Sequence, residues 1–190
     1  MTELQTAARN AKAPAAMAAM ATAAESQQYL TFSLGSEMFA VGILNVKEII
    51  EYGGLTEIPM MPSFIRGVIN LRGAVVPVVD LAARFGGAPS VIQRRSCIVI
   101  LEIPQEEGEG AGPGHQDIGI VVDAVSEVLD IAASEIEPPP TFGARIRADF
   151  ISGMGKVNQR FVIILDIRRV LSIDDLAMLA SVSVSGQNEN

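Results

Sequence analysis

Residues 63–81 read SFIRGVINLRGAVVPVVDL. The run offers two strands, about Ile65 to Leu71 and Ala74 to Val79, around a turn at Arg72 and Gly73, where glycine supplies the left-handed backbone that a tight hairpin needs. Arg66, Arg72 and Asp80 interrupt an otherwise apolar pattern. Burying a guanidinium without a partner is costly, so each arginine must reach water or meet a carboxylate. Glu48, on the strand before this hairpin, is the acid expected to meet Arg72.

Working outward, the surrounding chain repeats itself. VKEIIE (46–51) returns as VSEVLD (125–130), and EIPMMP (57–62) as EIEPPP (135–140). FIRGVINLRG (64–73) returns as FISGMGKVNQ (150–159), and VVPVVDLAARF (75–85) as FVIILDIRRVL (161–171). Four blocks in the same order, each displaced by about 80 residues, mark an internal duplication. Two copies are too few for a solenoid. Short strands with regularly spaced turns suit closed barrels, which leave no sheet edge exposed. The expected architecture is all-β: two small barrels related by a pseudo-twofold axis, with a groove between them.

Other segments fit this scheme. QYLTFSL and MFAVGI flank GSE as a hairpin, DLAARFGG reads as helical turns closed by glycine, and SCIVILEI and DIGIVV read as strands. The acidic, glycine-rich stretch at 104–116 is expected to be a mobile loop. SIDDLAMLAS (172–181) has a serine N-cap, early acids and helical apolar spacing, and is expected to form a terminal helix. The expected layout is a disordered or loosely helical tail over 1–26, the paired barrels over 27–182, and a flexible end over 183–190.

Composition narrows the function. Hydrophobic residues make up 49% of the 190 residues and aromatic ones only 5%, with no Trp, so the interior must be aliphatic. A net charge of -8 is the wrong sign for a protein that reads nucleic acid through its phosphates. The single cysteine, Cys97, cannot form an internal disulfide and is expected to be a small buried hydrophobe in a strand. The single histidine, His115, lies in the glycine-rich stretch and is expected to be solvated, so neither a metal site nor a cofactor is expected. The alanine-rich tail mimics a secretory signal, but Glu3 and Pro14 argue against export. No apolar run approaches the roughly 20 residues of a membrane span. The reading is a cytoplasmic protein without direct membrane insertion.

Catalytic arrangements fare poorly. A Ser-His-Asp triad would need His115 held in fixed geometry by the segment least able to hold it. Asp80 and Asp166 occupy equivalent places in the two repeats, each before a helical turn, and are expected to be helix caps. GEGAGPG lacks the strand, the Gly-Lys-Ser/Thr and the helix of a phosphate loop. Arg94, Arg95, Arg168 and Arg169 are expected to be solvated. An Arg-Glu pair at the rim of an aliphatic groove suits protein docking, because the pair sets orientation while the apolar wall supplies affinity. A ligand-binding barrel or small hydrolase using the inter-barrel groove is the alternative.

The run from Ser63 to Leu81, together with FAVGILNVKEII, IGIVVDAVSEVL and FISGMGKVNQRFVIILDIRRVL, resembles the chemotaxis coupling protein family, CheW and its relatives. The resemblance implies two intertwined five-stranded SH3-like barrels and a non-enzymatic adaptor. The adaptor would join the cytoplasmic tip of a methyl-accepting chemoreceptor to the regulatory domain of a chemotaxis histidine kinase. By the same likeness, Val46 and Glu48 fall in the receptor-contact motif, and Ile98, Gly119 and Val125 line the groove that takes the receptor helix. Arg66, Gly67 and Arg72 match positions used in receptor and kinase coupling, with Arg66 where lysine is common. The stretch 104–116 is longer than the family's usual hairpin there.

Overall fold

A computed structural model describes residues 25–104, 114–141 and 146–172. The expected terminal helix, the flexible end, the tail before Glu25 and the core of the acidic stretch lie outside the described residues. Ser26, placed in the tail by the sequence reading, opens the first strand, and Pro104 and His115 are paired strand residues rather than loop.

The strands are β1 (Ser26–Leu34), β2 (Glu37–Gly42), β3 (Val46–Glu51), β4 (Ile65–Leu71), β5 (Ala74–Asp80), β6 (Cys97–Pro104), β7 (His115–Val122), β8 (Ala124–Ala132), β9 (Ile136–Glu137), β10 (Ile151–Val157) and β11 (Arg160–Leu165). Two short helices follow the last strand of each repeat, α1 (Leu81–Arg84) and α2 (Ile167–Val170). One sheet runs β3-β6-β7-β5-β4 and the other β8-β1-β2-β11-β10-β9. They form the two SH3-like barrels.

The sheet orders show that the duplication extends beyond the four matched blocks. Hairpin β6-β7 stands between β3 and β5 as hairpin β1-β2 stands between β8 and β11. Each repeat therefore begins with a hairpin and inserts it into the other repeat's barrel. The inserted hairpins are held by parallel ladders, Val78 to Gly119 on one side and Ile163 to Phe39 on the other. Neither repeat can bury its apolar face without its partner, so the barrels are obligately intertwined.

Burial follows the same logic. Val99, Leu101 and Ile103 of β6 face a core shared by both barrels, while Ile98 and Ile100 face the interior of the first barrel. A strand buried on both faces reads as a continuous apolar run, which is why CIVILEI shows no alternation. The second barrel has its own interior of Tyr29, Ala40, Ile131, Val162 and Ile164.

The expected closure of five-stranded barrels is modified. The second sheet gains the two-residue β9, and the corresponding place in the first holds a single bridge between Thr56 and Val68. The ladders leave β3 and β4, and β8 and β9, as end strands. The chain between β3 and β4 runs through Pro59 and Pro62, and that between β9 and β10 through Pro138–Pro140, residues that lack the N–H donor a ladder requires.

Helix starts match the sequence reading. The Asp80 carboxylate accepts from Ala83 N at 3.3 Å and that of Asp166 from Arg169 N at 3.3 Å. The hairpin turns are also twins: Arg72 and Gly73 have φ of 52° and 88°, Asn158 and Gln159 of 48° and 64°.

Candidate docking site

Arg72 sits at the tip of the β4-β5 hairpin, where the Asn70 side chain accepts from Gly73 N at 2.9 Å and pins the turn. A left-handed arginine costs about 1 kcal/mol relative to glycine. Its guanidinium reaches β3 and donates twice to Glu48, Nη1 to Oε1 at 3.1 Å and Nη2 to Oε2 at 3.0 Å. This is the pair expected from sequence. The Arg72 side chain is 75% exposed and that of Glu48 22%, so the fork lies at the surface. A bulge between Val46 and Glu48 turns Lys47 toward Asp117, 2.7 Å away. The Asp117 carboxylate holds the Lys47 ammonium above its usual pKa, and the charges of Glu102 and Glu48 add to it. Exposed Ile49 on β3 and Val75 on β5 add apolar surface to the same sheet. A bidentate pair with aliphatic surface on its sheet gives orientation and affinity together.

The other expected site residues divide. Val46 and Val125 are twin positions, each half-buried against the shared core. Ile98 and Gly119 were expected on the groove wall, but both lie inside the first barrel. Ile98 is 0% exposed, and a Cβ on Gly119 would stand 2.8 Å from its Cγ2. Their apolar character serves strand packing, so they present no side chain to a partner. Gly67 has φ 143°, and a Cβ there would meet the Thr56 carbonyl oxygen at 2.3 Å. That glycine lets the 55–58 connector bridge to β4.

Arg66 does not share the Arg72 site. Its Nη2 donates to the Ser90 carbonyl, and its Nε lies 3.2 Å from Asp80 Oδ2, within ion-pair distance but off line for a hydrogen bond. Tyr52 stacks on the same guanidinium at 5.9 Å. Asp80 is fully buried and also accepts from Ser90 N at 2.8 Å and Ser90 Oγ at 2.9 Å. Helix capping is thus one of two tasks for Asp80. The other is to clamp the strap after α1 onto the first barrel.

Sequence reasoning missed a concavity of 650 Å³ at the end of the second barrel, lined by Thr31, Met38, Glu127, Leu129, Met154 and Phe161 among others. Glu127 and Asn158 line it at the places held by Glu48 and Arg72 in the first barrel. With asparagine in place of arginine, no ion pair spans it. Cys97 opens β6 half-buried, its thiol 3.2 Å from the Arg95 carbonyl oxygen. His115, expected in a loop, starts β7 and is exposed as anticipated. Arg94, Arg95 and Arg168 are exposed, and Arg169 meets Asp166 at 3.5 Å. Among the described residues no cluster of His, Cys, Asp and Glu is placed to hold a metal ion. No helix among them is long and apolar enough to cross a membrane.

Residues 28–175 match the family model described as the CheW-like domain. The chain belongs to the CheW-like family. It is 35% identical over 159 residues to the chemotaxis protein CheW of Klebsiella aerogenes, covering 84% of this chain and 90% of that protein. It is 30% identical over 153 residues to Protein FrzA of Myxococcus xanthus, covering 80% and 89%. Among solved structures, the scaffolding protein TtCheW of Thermoanaerobacter tengcongensis superposes with a TM-score of 0.67 at 35% identity, covering 79% of this chain and 90% of that one. CheW-like proteins are non-enzymatic scaffolds of chemotaxis signalling, so the hydrolase alternative falls and the coupling-adaptor reading stands.

Proposed function

We propose that this CheW-like chain works in the cytoplasm at membrane-associated receptor arrays. There it couples the cytoplasmic tip of a chemoreceptor to the regulatory domain of a chemotaxis histidine kinase, so that receptor state controls autophosphorylation. The observation that carries the reading is the Glu48-Arg72 fork. Two charges held in fixed relative orientation on a sheet with exposed aliphatic residues suit a protein partner better than a small molecule. Val46 and Glu48 act at the receptor contact, Arg72 orients the complex, and Val125 supports the equivalent strand of the second barrel. Ile98 and Gly119 contribute by packing the barrel interior beneath the contact, and Arg66 and Gly67 by holding the strap and the connector. The functional unit is taken as the CheW-like domain over 27–182. The test is binding of purified receptor signalling fragment to Glu48→Arg and Arg72→Glu variants. Both should bind more weakly while remaining folded, and wild-type binding by both would move the contact elsewhere.

A further inference from the structure

Aromatic residues are scarce, yet five of the seven phenylalanines gather where the barrels meet: Phe32, Phe39, Phe64, Phe85 and Phe150. Phe32 stacks on Phe39 at 6.1 Å, Phe39 on Phe85 at 5.6 Å, and Phe85 tilts against Phe150 at 6.1 Å. Phe64 and Phe150 are twins, each standing just before the second hairpin of its repeat. Each is tied to its own barrel, since the Phe64 carbonyl accepts from Asp80 N at 2.7 Å and the Phe150 carbonyl from Asp166 N at 2.8 Å.

Arg84 joins the two. Its guanidinium carbon lies 4.8 Å from the Phe64 ring centre and 5.2 Å from that of Phe150. Its Nε donates to the Val170 carbonyl at 2.8 Å, at the end of α2. When the repeats are aligned through VVPVVDLAARF and FVIILDIRRVL, Val170 stands where Arg84 stands. One side chain therefore crosses the pseudo-twofold axis to hold both twin rings and the backbone of its own counterpart. Valine cannot return the contact, so the duplication has lost its symmetry at this point. A planar guanidinium can stack on rings and donate along its edge at the same time, which an ammonium cannot do.

We infer that Arg84 is the positioning residue that sets the angle between the barrels. On the reading that the chain couples receptor to kinase, it thereby sets how strongly one partner's state reaches the other. Adaptor surfaces on different barrels can act together only if the barrels keep a defined relation. Within the core that the barrels share, the Phe64-Arg84-Phe150 sandwich is the point where one charged side chain bridges the twin rings.

The test uses the full chain carrying Cys97→Ser, with spin labels at Val75→Cys on the first barrel and Val128→Cys on the second, both exposed positions. Pulsed dipolar spectroscopy should give one narrow distance with Arg84 present. Arg84→Met and Arg84→Lys should each broaden or displace that distance beyond its original width. If Arg84→Met fails to fold, Arg84→Lys, which keeps the charge, decides. An unchanged distribution in a folded variant overturns the inference. In the second arm, run on the chain with Val75, Cys97 and Val128 intact, receptor-dependent kinase stimulation by the Arg84 variants should fall at least about fivefold, the lower end of ordinary coupling effects. Affinity for each partner alone should stay within about twofold, as expected of a residue that touches neither. A displaced barrel with full stimulation overturns the functional half. If the unmodified chain gives no stimulation, the coupling reading fails, and the distance arm still decides the role of Arg84.

Discussion

Arg72 and Glu48 face each other through two parallel hydrogen bonds of 3.1 and 3.0 Å, joining a hairpin tip to the end strand of its sheet. Because Arg72 is mostly exposed, the pair adds only about 0–1 kcal/mol to stability. Its value is geometric. Glu48→Arg and Arg72→Glu should each leave the urea midpoint nearly unchanged while weakening receptor-fragment binding about tenfold or more, as loss of an orienting charge pair does. The charge-swapped double variant should recover part of that loss. A double variant no better than either single one would show that the two residues act separately.

Gly67 and Gly153 are twins with different surroundings. A methyl group at Gly67 would strike the Thr56 backbone oxygen at 2.3 Å and would require φ near 143°. At Gly153 it would strike Ile136 Cγ2 at 2.5 Å and come within 3.2 Å of the Glu137 carbonyl oxygen, but the backbone there is not left-handed, so the strain is steric alone. Gly67→Ala should therefore cost about 3 kcal/mol or more, and Gly153→Ala clearly less. Denaturant melts of the two variants make the comparison, and equal losses would contradict the close approach at Thr56.

The twin caps should also differ. Asp166→Ala removes a partly exposed cap and should cost about 1 kcal/mol. Asp80→Ala removes the cap, releases Ser90 and leaves the Arg66 guanidinium without its carboxylate. Breaking a buried pair costs about 3–5 kcal/mol, and the partial exposure of Arg66 places this one toward the lower figure. Proteolysis within 86–95 should accelerate in Asp80→Ala alone.

Two groups predict alkaline weakening. Burial raises the Tyr29 pKa above 10.0, and the Asp117 carboxylate raises that of Lys47 above 10.5. A pKa higher in the folded chain means that the stabilisation is fully present below the unfolded value and is lost as pH rises through the folded one. Stability should thus be flat through neutral pH, as far as these groups are concerned, and should decline above about pH 10. Tyr29→Phe and Lys47→Met together should flatten that decline, which thermal melts across the alkaline range would reveal.

Several of these features were legible in the sequence because they are local or repeated. The duplicated Asp before each helical turn announced the caps, and the arginine at a hairpin tip with an acid on the preceding strand announced the fork. The hairpin exchange was not legible. QYLTFSL and CIVILEI share no motif, and their equivalence appears only in the sheet orders. Ile98 and Gly119 were placed on the groove by family likeness alone, and a strand buried on both faces gives no alternation that could have told groove from interior. Arg84 lies in DLAARFGG, a stretch whose sequence speaks only of helical turns closed by glycine. Its role depends on Phe64 and Phe150 meeting across the axis, a contact between the two repeats.

Coupling of receptor to kinase is read out by kinase autophosphorylation with purified receptor signalling fragment and a matched kinase, with and without this protein. Stimulation is expected only when all three are present, with a marked loss in Arg72→Glu. Autophosphorylation unaffected by the folded protein, with receptor and kinase both competent, would contradict that coupling.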